Sequence, residues 1–325
     1  MSVIETIELK TIHDLHDFLS PAGVKKNFFA KEEQYLFRGE ESNQYRLNPS
    51  LFRSTKVESL YRSLRLPPLD SDYYQLEETY QWIELKTLLN FFRLANNAAI
   101  DLPTITAFQP SILTFSDHYH FQDDAWLPNE LLELFSLARH YSLPTRMLDW
   151  SDNIYTALYF ACSSALKWPE YKREDGMAIY ALRSAALQKT DFPMRFIRPL
   201  RFYNRNAHAQ GGVLSYLETK NLLQEKNVVD SIPPLGEMNS TLVNKKPLDE
   251  RLEDYFSHEN HTAGPFLHKS ILDSSMIADL YLYLDSLHYS AEKIFPDLYG
   301  VVRKMLQDDA NWNRKVHNEK TDTSS

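Results

Sequence analysis

The spacing of hydrophobic residues predicts a mixture of strands and helices. We expect a first strand over residues 3–9. In the second predicted strand, residues 34–38, alternation places Leu36 and Arg38 on one face and Tyr35 and Phe37 on the other, and we expect Gly39 to end it. Residues 13–19 between them have helical spacing. Residues 177–182 form a third predicted strand.

The longest helical block covers residues 72–142. Two stripes have the spacing i, i+3, i+4, i+7: Leu85, Leu88, Leu89 and Phe92 form the first, and Leu131, Leu134, Phe135 and Ala138 form the second. A stretch at 102–115 that contains Pro and Thr separates them. We therefore predict a large helical insertion here.

Further helices are predicted in the second half of the chain. Residues 149–152 contain N-cap candidates for a helix whose buried face is Ile154, Ala157, Leu158, Ala161 and Ala165. A later helix places Ile277, Leu280, Tyr281 and Leu284 on one side. Residues 307–325 are polar, and we expect a disordered tail there.

Short strands mixed with blocks of helices favour an α+β fold over regular βαβ winding. No clear linker interrupts the sequence, so we expect residues 1–306 to form one domain.

Composition and charge exclude several classes of protein. The net charge is −9, which disfavours an overall basic DNA-binding surface. Cys162 is the single cysteine, so neither an intrachain disulfide nor a cysteine-rich zinc module is expected. The sequence lacks a GxGxxG loop, a P-loop, a GxSxG elbow and a convincing set of metal ligands. No membrane span or signal peptide is evident, so we expect a cytoplasmic protein that does not bind membranes.

The first candidate site is Arg38-Gly39. Arg38 shares a strand face with Leu36, where a guanidinium needs a polar partner if the face is buried. It would suit a phosphate or ribose oxygen, and Gly39 would let a ligand approach the backbone. The alternative is a surface arginine at the end of a strand.

The second candidate is the segment 138–151, which concentrates polar and aromatic side chains before a predicted helix N-terminus. A helix N-terminus favours anions. Its candidate ligand-binding residues are His140, Tyr141, Arg146, Asp149, Trp150 and Ser151. Alternatively, Asp149 caps the helix and Trp150 belongs to the core.

The third candidate is a basic segment between Asp191 and Glu218 that has no acidic residue. Its arginines are Arg195, Arg198, Arg201 and Arg205. Such a segment suits phosphates of a nucleic acid. The alternative is an arginine-rich strand or loop whose charges are neutralised by the acidic residues of the helical insertion.

In order, these blocks resemble the FRG-domain family, named after Phe-Arg-Gly. The matching blocks are Tyr35 to Gly39, Tyr45 to Arg53, Arg139 to Ser151 with Ala157 to Ala161, Asn206 to Gly212, and Ile294 to Gly300. The resemblance spans residues 35–306. Leu214 stands where the family has Phe in its Gln-x-Gly-x-Phe block.

The family's order of blocks resembles that of ADP-ribosyltransferases. This resemblance implies a split β core and an enzyme that uses NAD as co-substrate and releases nicotinamide. It implies that Arg38 contacts the nicotinamide ribose or the phosphates and that the Gly39 backbone holds the carboxamide. It also implies that Tyr141 or Trp150 stacks on the nicotinamide ring and that Ser151 lies near the ribose. No metal is implied.

Gln210 departs from the pattern, because a carboxylate usually holds the ribose hydroxyls at this position. An amide cannot act as a general base. Three possibilities follow: the acceptor is already nucleophilic, Asp149 or Glu218 supplies the carboxylate, or the protein binds without catalysing.

The basic segment and the resemblance to toxins of bacterial conflict systems imply RNA as acceptor and an inhibitory antitoxin as partner. A non-catalytic NAD or nucleotide sensor is the first alternative, and a purely structural interaction protein is the second.

Overall fold

A mixed sheet of seven strands forms the centre of the protein in a computed structural model. The structure describes residues 2–20, 23, 34–53, 55–102, 123–167, 175–199, 205–223, 241–257 and 265–322, with side chains described up to 315. The strands are β1 Ile4–Leu9, β2 Tyr35–Glu40, β3 Ala125–Trp126, β4 Leu148–Ser151, β5 Met177–Arg183, β6 Met194–Ile197, β7 Gly212–Leu217, β8 Thr219–Lys220 and β9 Leu267–Leu272.

The main sheet has the strand order β1-β9-β5-β2-β4-β7-β6, and β3 and β8 pair separately. β1 runs parallel to β9, whereas the other neighbours in the sheet are antiparallel. A largely antiparallel sheet with helices grouped on it confirms the α+β class.

Helices cover both faces of this sheet. They are α1 Ile12–Leu19, α2 Lys56–Ser63, α3 Glu77–Asn97, α4 Leu132–His140, α5 Ile154–Ala165, α6 Ser184–Leu187, α7 Arg205–Ala209, α8 Leu248–Ser257, α9 Ile277–Ser286, α10 Ala291–Ile294 and α11 Leu298–Asp322. Short 3-10 turns lie at Ser50–Phe52, Ser71–Gln75, Asn129–Leu131 and Ser274–Met276. Within the described residues, no helix is both long enough and apolar enough to cross a membrane.

Alternation along β2 and β5 places successive side chains in two different cores. Phe37 and Ile179 pack with α1, α5, α9 and α10, whereas Leu36 and Tyr180 pack with α8 on the opposite face. The helices α2, α3 and α4 form a third core, which reaches the sheet at Leu214 of β7. The predicted helical insertion therefore packs beside α5, on the same face of the sheet.

β2 and β4 are joined by one registered pair, Phe37 with Ser151. In contrast, β2 pairs with β5 along its whole length, from Tyr35 with Arg183 to Glu40 with Ala178. The sheet therefore opens between β2 and β4, directly after Phe37.

Three local expectations are wrong. β2 continues through Gly39 to Glu40 instead of ending at the glycine. Asn153 caps α5, because its side chain accepts from the Tyr155 amide; of the proposed N-cap residues 149–152, the first three belong to β4. Residues 307–322 of the expected disordered tail belong to the helix α11, and Gln307, Asn311 and Arg314 are buried against the protein.

Candidate functional site

A cleft of about 490 Å³ opens where β2 and β4 part. One wall is the insertion helix α4, and the facing wall is α5. The residues predicted from the sequence that line it are Arg38, Gly39, His140, Asp149, Trp150, Ser151 and Gln210. Stretches of chain that are far apart in sequence thus meet at one opening in the sheet.

Arg38 lies across the gap between the two strands. Its Nε donates to Glu40 Oε1 at 2.6 Å, and its Nη1 donates to the Asp149 carbonyl at 2.8 Å. The carboxylate of Asp149 is 3.7 Å from the same Nη1, and the Arg38 side chain is only 12% exposed. Arg38 therefore replaces the missing backbone pairing with side-chain hydrogen bonds, and its charge is balanced by Glu40.

Asp149 is held by a second arginine, from α4. Arg139 Nε donates to both carboxylate oxygens at 3.2 and 3.0 Å, and its Nη2 also donates to Oδ2. Arg139 Nη1 donates to Ser50 Oγ at 3.0 Å. Desolvation opposes ionisation, but Arg139 and Arg38 outweigh it, so the pKa of Asp149 lies below its ordinary value. Asp149 is therefore an oriented carboxylate anion at neutral pH.

Ser151 and Gln210 are joined through a tight turn. Ser151 Oγ donates to the Gln210 carbonyl at 2.6 Å and accepts from the Asn153 amide at 3.0 Å. Gly211 has a φ of +57°, in the left-handed region that favours glycine, and a Cβ there would displace the side chain of Asp152. Gln210 Nε2 donates to the Ile294 carbonyl at 3.3 Å. The Gln210 side chain is thus positioned by α10.

His140 is a neutral imidazole in the cleft wall. Burial lowers its pKa below the ordinary value and outweighs the opposing effect of Asp149. Its Nε2 lies 3.4 Å from Asn206 Nδ2 on α7. A neutral imidazole accepts a proton, which Gln210 cannot do.

Sequence reasoning missed several residues that line the cleft. They are Glu40, Arg53, Arg139, Phe160 and Phe295. Phe160 and Phe295 meet edge to face, with 6.1 Å between ring centroids. Each of the five lies in or beside a motif block, but the sequence holds no signal for which way its side chain points.

Two residues predicted to stack on a ligand do not present a ring to the cleft. Tyr141 is 68% exposed and is not part of the cleft wall. Trp150 borders the cleft, but its indole is buried in the core on the opposite face and donates to Ser215 Oγ at 2.7 Å. The alternative that Trp150 is a core residue is the one that the structure supports.

Arg146, predicted as a ligand-binding residue, lies outside the cleft and is buried among acidic side chains. Its guanidinium donates to Glu77 Oε1 at 2.9 Å and to Glu84 Oε2 at 2.8 and 2.5 Å. Gln81 and Thr219 complete the surroundings of Glu77. Arg146 therefore connects α3 to the sheet.

Gly39 is needed for packing against a helix. A Cβ at this position would lie 1.9 Å from the Ala157 carbonyl of α5. The close approach of strand and helix, which Gly39 permits, shapes the edge of the cleft that these two elements share.

The arginines of the basic segment are partly neutralised. Arg195 pairs with Glu218 at 2.8 Å, and Arg198 pairs with Asp152 at 2.9 Å. Arg205 is exposed on α7, and Arg201 lies outside the described residues. Two of these charges are thus offset by Glu218 and Asp152, which lie outside the helical insertion, so the carboxylates are not those that the alternative expected.

Within the described ranges, no three His, Cys, Asp or Glu side chains are grouped as a metal site requires. Glu218, considered as a substitute carboxylate, is bound by Arg195 and is not part of the cleft wall. The ionisable groups that line the cleft are therefore those of Arg38, Glu40, Glu41, Tyr45, Arg53, Arg139, His140 and Asp149.

Among the comparisons with known proteins, one matches part of the chain. No curated protein and no solved structure is significantly similar to the chain. Residues 33–169 match the model of the FRG domain, a stretch that begins just before β2 and ends just after α5. It contains Arg38, Arg139 and Asp149, whereas Gln210 and Phe295 lie beyond it. The match covers less than half of the chain, and it shows that residues 33–169 are similar to the FRG domain.

Proposed function

We propose that the protein is an NAD-dependent ADP-ribosyltransferase that releases nicotinamide. The observation that carries the proposal is the opening of the sheet between β2 and β4, where Arg38, Asp149, Ser151 and Gln210 line one cleft. A sheet that parts in this way is what an ADP-ribosyltransferase-like split core requires. The cleft volume of about 490 Å³ lies in the range of roughly 300–1,000 Å³ typical of small-molecule sites.

The side chains in the cleft suit the parts of a dinucleotide. Phe160 and Phe295 offer aromatic faces to a planar ring. Asp149 and Glu40 offer negative charge to a cationic nicotinamide ring. Arg53 suits the diphosphate, because within the described residues it has no carboxylate partner and its Nε makes one long bond, of 3.4 Å, to the Asn48 carbonyl.

The residues also suit the reaction. Cleavage of the bond between the ribose C1′ and the nicotinamide nitrogen leaves the electron pair on nicotinamide and positive charge on the ribose. Asp149 is ionised and rigidly held, so it stabilises that charge without reorganisation. The acceptor nucleophile loses a proton as it attacks C1′, and neutral His140 is the group in the cleft best suited to take it.

RNA is the acceptor that we propose, which would make the protein an intracellular toxin restrained by an inhibitory protein. The support is the position of α7 and Arg198 near the mouth of the cleft, where Pro199 and Ala207 line the wall. Because Arg195 and Arg198 are both paired with carboxylates, phosphates must compete with Glu218 and Asp152 for them. Each phosphate that an arginine neutralises makes the binding of RNA weaker as the salt concentration rises, so we expect the affinity to fall with salt.

One observation favours a sensor that binds NAD without turnover. The Gln210 amide is held by the Ile294 carbonyl, and Gln210 cannot serve as a base. Turnover then depends on His140 or Asp149, and the two functions differ in whether nicotinamide is released.

The deciding experiment incubates the purified chain with NAD labelled in its adenylate phosphate, together with total RNA or total protein. An ADP-ribosyltransferase releases nicotinamide and transfers label to one acceptor. Asp149→Asn and His140→Ala should lose both signals, whereas Arg62→Ala, on an exposed face of α2 outside the cleft, should retain them.

Each other outcome has a separate meaning. Nicotinamide release without labelled acceptor contradicts a transferase and indicates NAD hydrolysis. Thermal stabilisation by NAD without release supports the sensor. No effect of NAD on stability or product refutes both.

The role of Arg53 is tested by binding. Arg53→Ala should weaken ADP-ribose and NAD about tenfold or more, because a hydrogen bond to a charged group contributes about 1.5–3 kcal/mol, and leave the melting temperature unchanged. Nicotinamide alone should bind the variant and the natural protein equally. Equal affinity for ADP-ribose would exclude Arg53 from the diphosphate site.

A further inference from the structure

The C-terminal helix α11 buries polar side chains and exposes apolar ones. Its inward side buries the polar side chains of Gln307, Asn311 and Arg314, which are 4–7% exposed. The outward side carries an apolar stripe formed by Leu298, Val301, Val302, Met305, Leu306 and Trp312, which are 46–84% exposed. A helix on the surface of a monomer normally has the opposite arrangement.

The apolar stripe has the spacing of a helix-pairing seam. Leu298, Met305 and Trp312 are seven residues apart, and Val301 and Val302 fill the turn between the first two. The stripe is about 21 Å long at 1.5 Å per residue. Among the described residues, the stripe places six exposed large hydrophobic side chains on one face of α11. The exposed large hydrophobic side chains outside α11 are scattered over several elements.

We propose that the apolar stripe is a dimer interface, in which α11 pairs antiparallel with α11 of a second copy about a two-fold axis at Met305. This inference does not depend on the proposed function. The stripe exposes on the order of 700 Å², close to the roughly 800 Å² that each partner buries in a standard interface. Exposed apolar patches of this size mark interaction sites.

Symmetry is the reason for choosing a second copy as the partner. An axis at Met305 places Met305 against its counterpart and Leu298 against Trp312 of the other copy, because the two lie seven residues either side of it. Each apolar end then meets an apolar end. The part of the chain that the structure describes has no other exposed apolar seam of this length for α11 to match.

Asp308 and Asp309 are the polar residues of the seam, seven positions after Val301 and Val302. Asp309 Oδ2 accepts from Asn313 Nδ2 at 3.2 Å. Polar residues in such a seam limit the stability of the pair while fixing its register. The dimer is therefore expected to dissociate measurably on dilution.

The test measures the mass of the full chain by sedimentation equilibrium, from low to high micromolar concentrations. The natural protein should move from monomer to dimer. The Met305→Lys variant should remain monomeric, and the Asp309→Ala variant should dimerise at least tenfold more tightly. The control is Leu94→Lys, which changes an exposed residue of α3 and should behave as the natural protein does. Circular dichroism and melting temperature establish that each variant is folded.

Cysteine cross-linking tests the orientation, since the natural thiol of Cys162 is buried. Met305→Cys should form a disulfide dimer on its own, because the two thiols meet near the axis. Leu298→Cys alone should not, because its two copies would be about 21 Å apart; mixed with Trp312→Cys it should. Cross-linking of Leu298→Cys with itself would contradict the antiparallel pairing. A natural protein that stays monomeric, or a Met305→Lys variant that still dimerises, would overturn the proposal.

Discussion

Replacing Arg146 by methionine tests whether this arginine stabilises the fold or binds a ligand. Arg146 is buried, and its guanidinium is bonded to Glu77 and Glu84. Methionine retains the apolar volume of the side chain but removes the positive charge. The two carboxylates would then lie in the core without a cation.

The expected loss in the free energy of unfolding is large. Breaking a buried ion pair by removing one partner costs about 3–5 kcal/mol, against a typical domain stability of about 5–15 kcal/mol. Glu77 would still accept from Gln81 and Thr219, and Glu84 from Trp126. These hydrogen bonds place the expected loss near 3 kcal/mol.

The loss should depend on pH in a defined direction. Burial raises the pKa of Glu84 above its ordinary value even beside Arg146, and without Arg146 it rises further. A carboxyl with a raised folded pKa destabilises the folded state as pH rises from its unfolded pKa toward the folded one. The difference between Arg146→Met and the natural protein should therefore shrink on acidification.

Urea unfolding followed by tryptophan fluorescence measures this difference. The exposed Arg205→Met is the matched control and should change the free energy of unfolding by less than about 0.5 kcal/mol. The triple variant Arg146→Met, Glu77→Gln, Glu84→Gln removes the unpaired charges and should recover most of the loss.

An Arg146→Met variant that unfolds at the same urea concentration as the natural protein would contradict a stabilising role for Arg146. A variant that keeps its stability but loses affinity for NAD would also contradict that role, because Arg146 would then contact the ligand.

Three further predictions concern the core and the cleft. Gly39→Ala should lower the free energy of unfolding, measured in urea titrations, by about 1–3 kcal/mol or more, because the Cβ of the alanine would clash with the Ala157 carbonyl. An unchanged free energy of unfolding would contradict the close packing of β2 on α5. Asp149→Asn should lower the melting temperature at neutral pH. The difference in melting temperature from the natural protein should shrink below about pH 4, since a carboxyl with a depressed pKa stabilises the fold only while it is ionised. A difference that stays constant with pH would exclude the ion pair with Arg139 as its cause. Cys162 should resist alkylation until urea unfolds the chain, because burial raises the pKa of its thiol to about 12; labelling of the folded protein, detected by mass spectrometry, would contradict its burial.

Local elements of the fold could be predicted from the sequence because periodicity acts over a few residues. Leu36 and Phe37 face different cores, as alternation predicted, and the apolar stripe of α9 is buried as its spacing required. The order of strands could not be predicted, because pairing of β2 with β5 and β4 joins residues more than a hundred positions apart.

For the candidate site, the sequence by itself determined which segments carry polar chemistry, since residues 34–40, 138–151 and 206–212 all reach the cleft. The direction of each side chain was decided only by the tertiary structure. Arg146 and Arg139 lie in the same segment, yet one is buried against Glu77 and Glu84 and the other holds Asp149 in the cleft. A charged side chain goes where its partners are, and those partners come from strands and helices that only the folded sheet brings together.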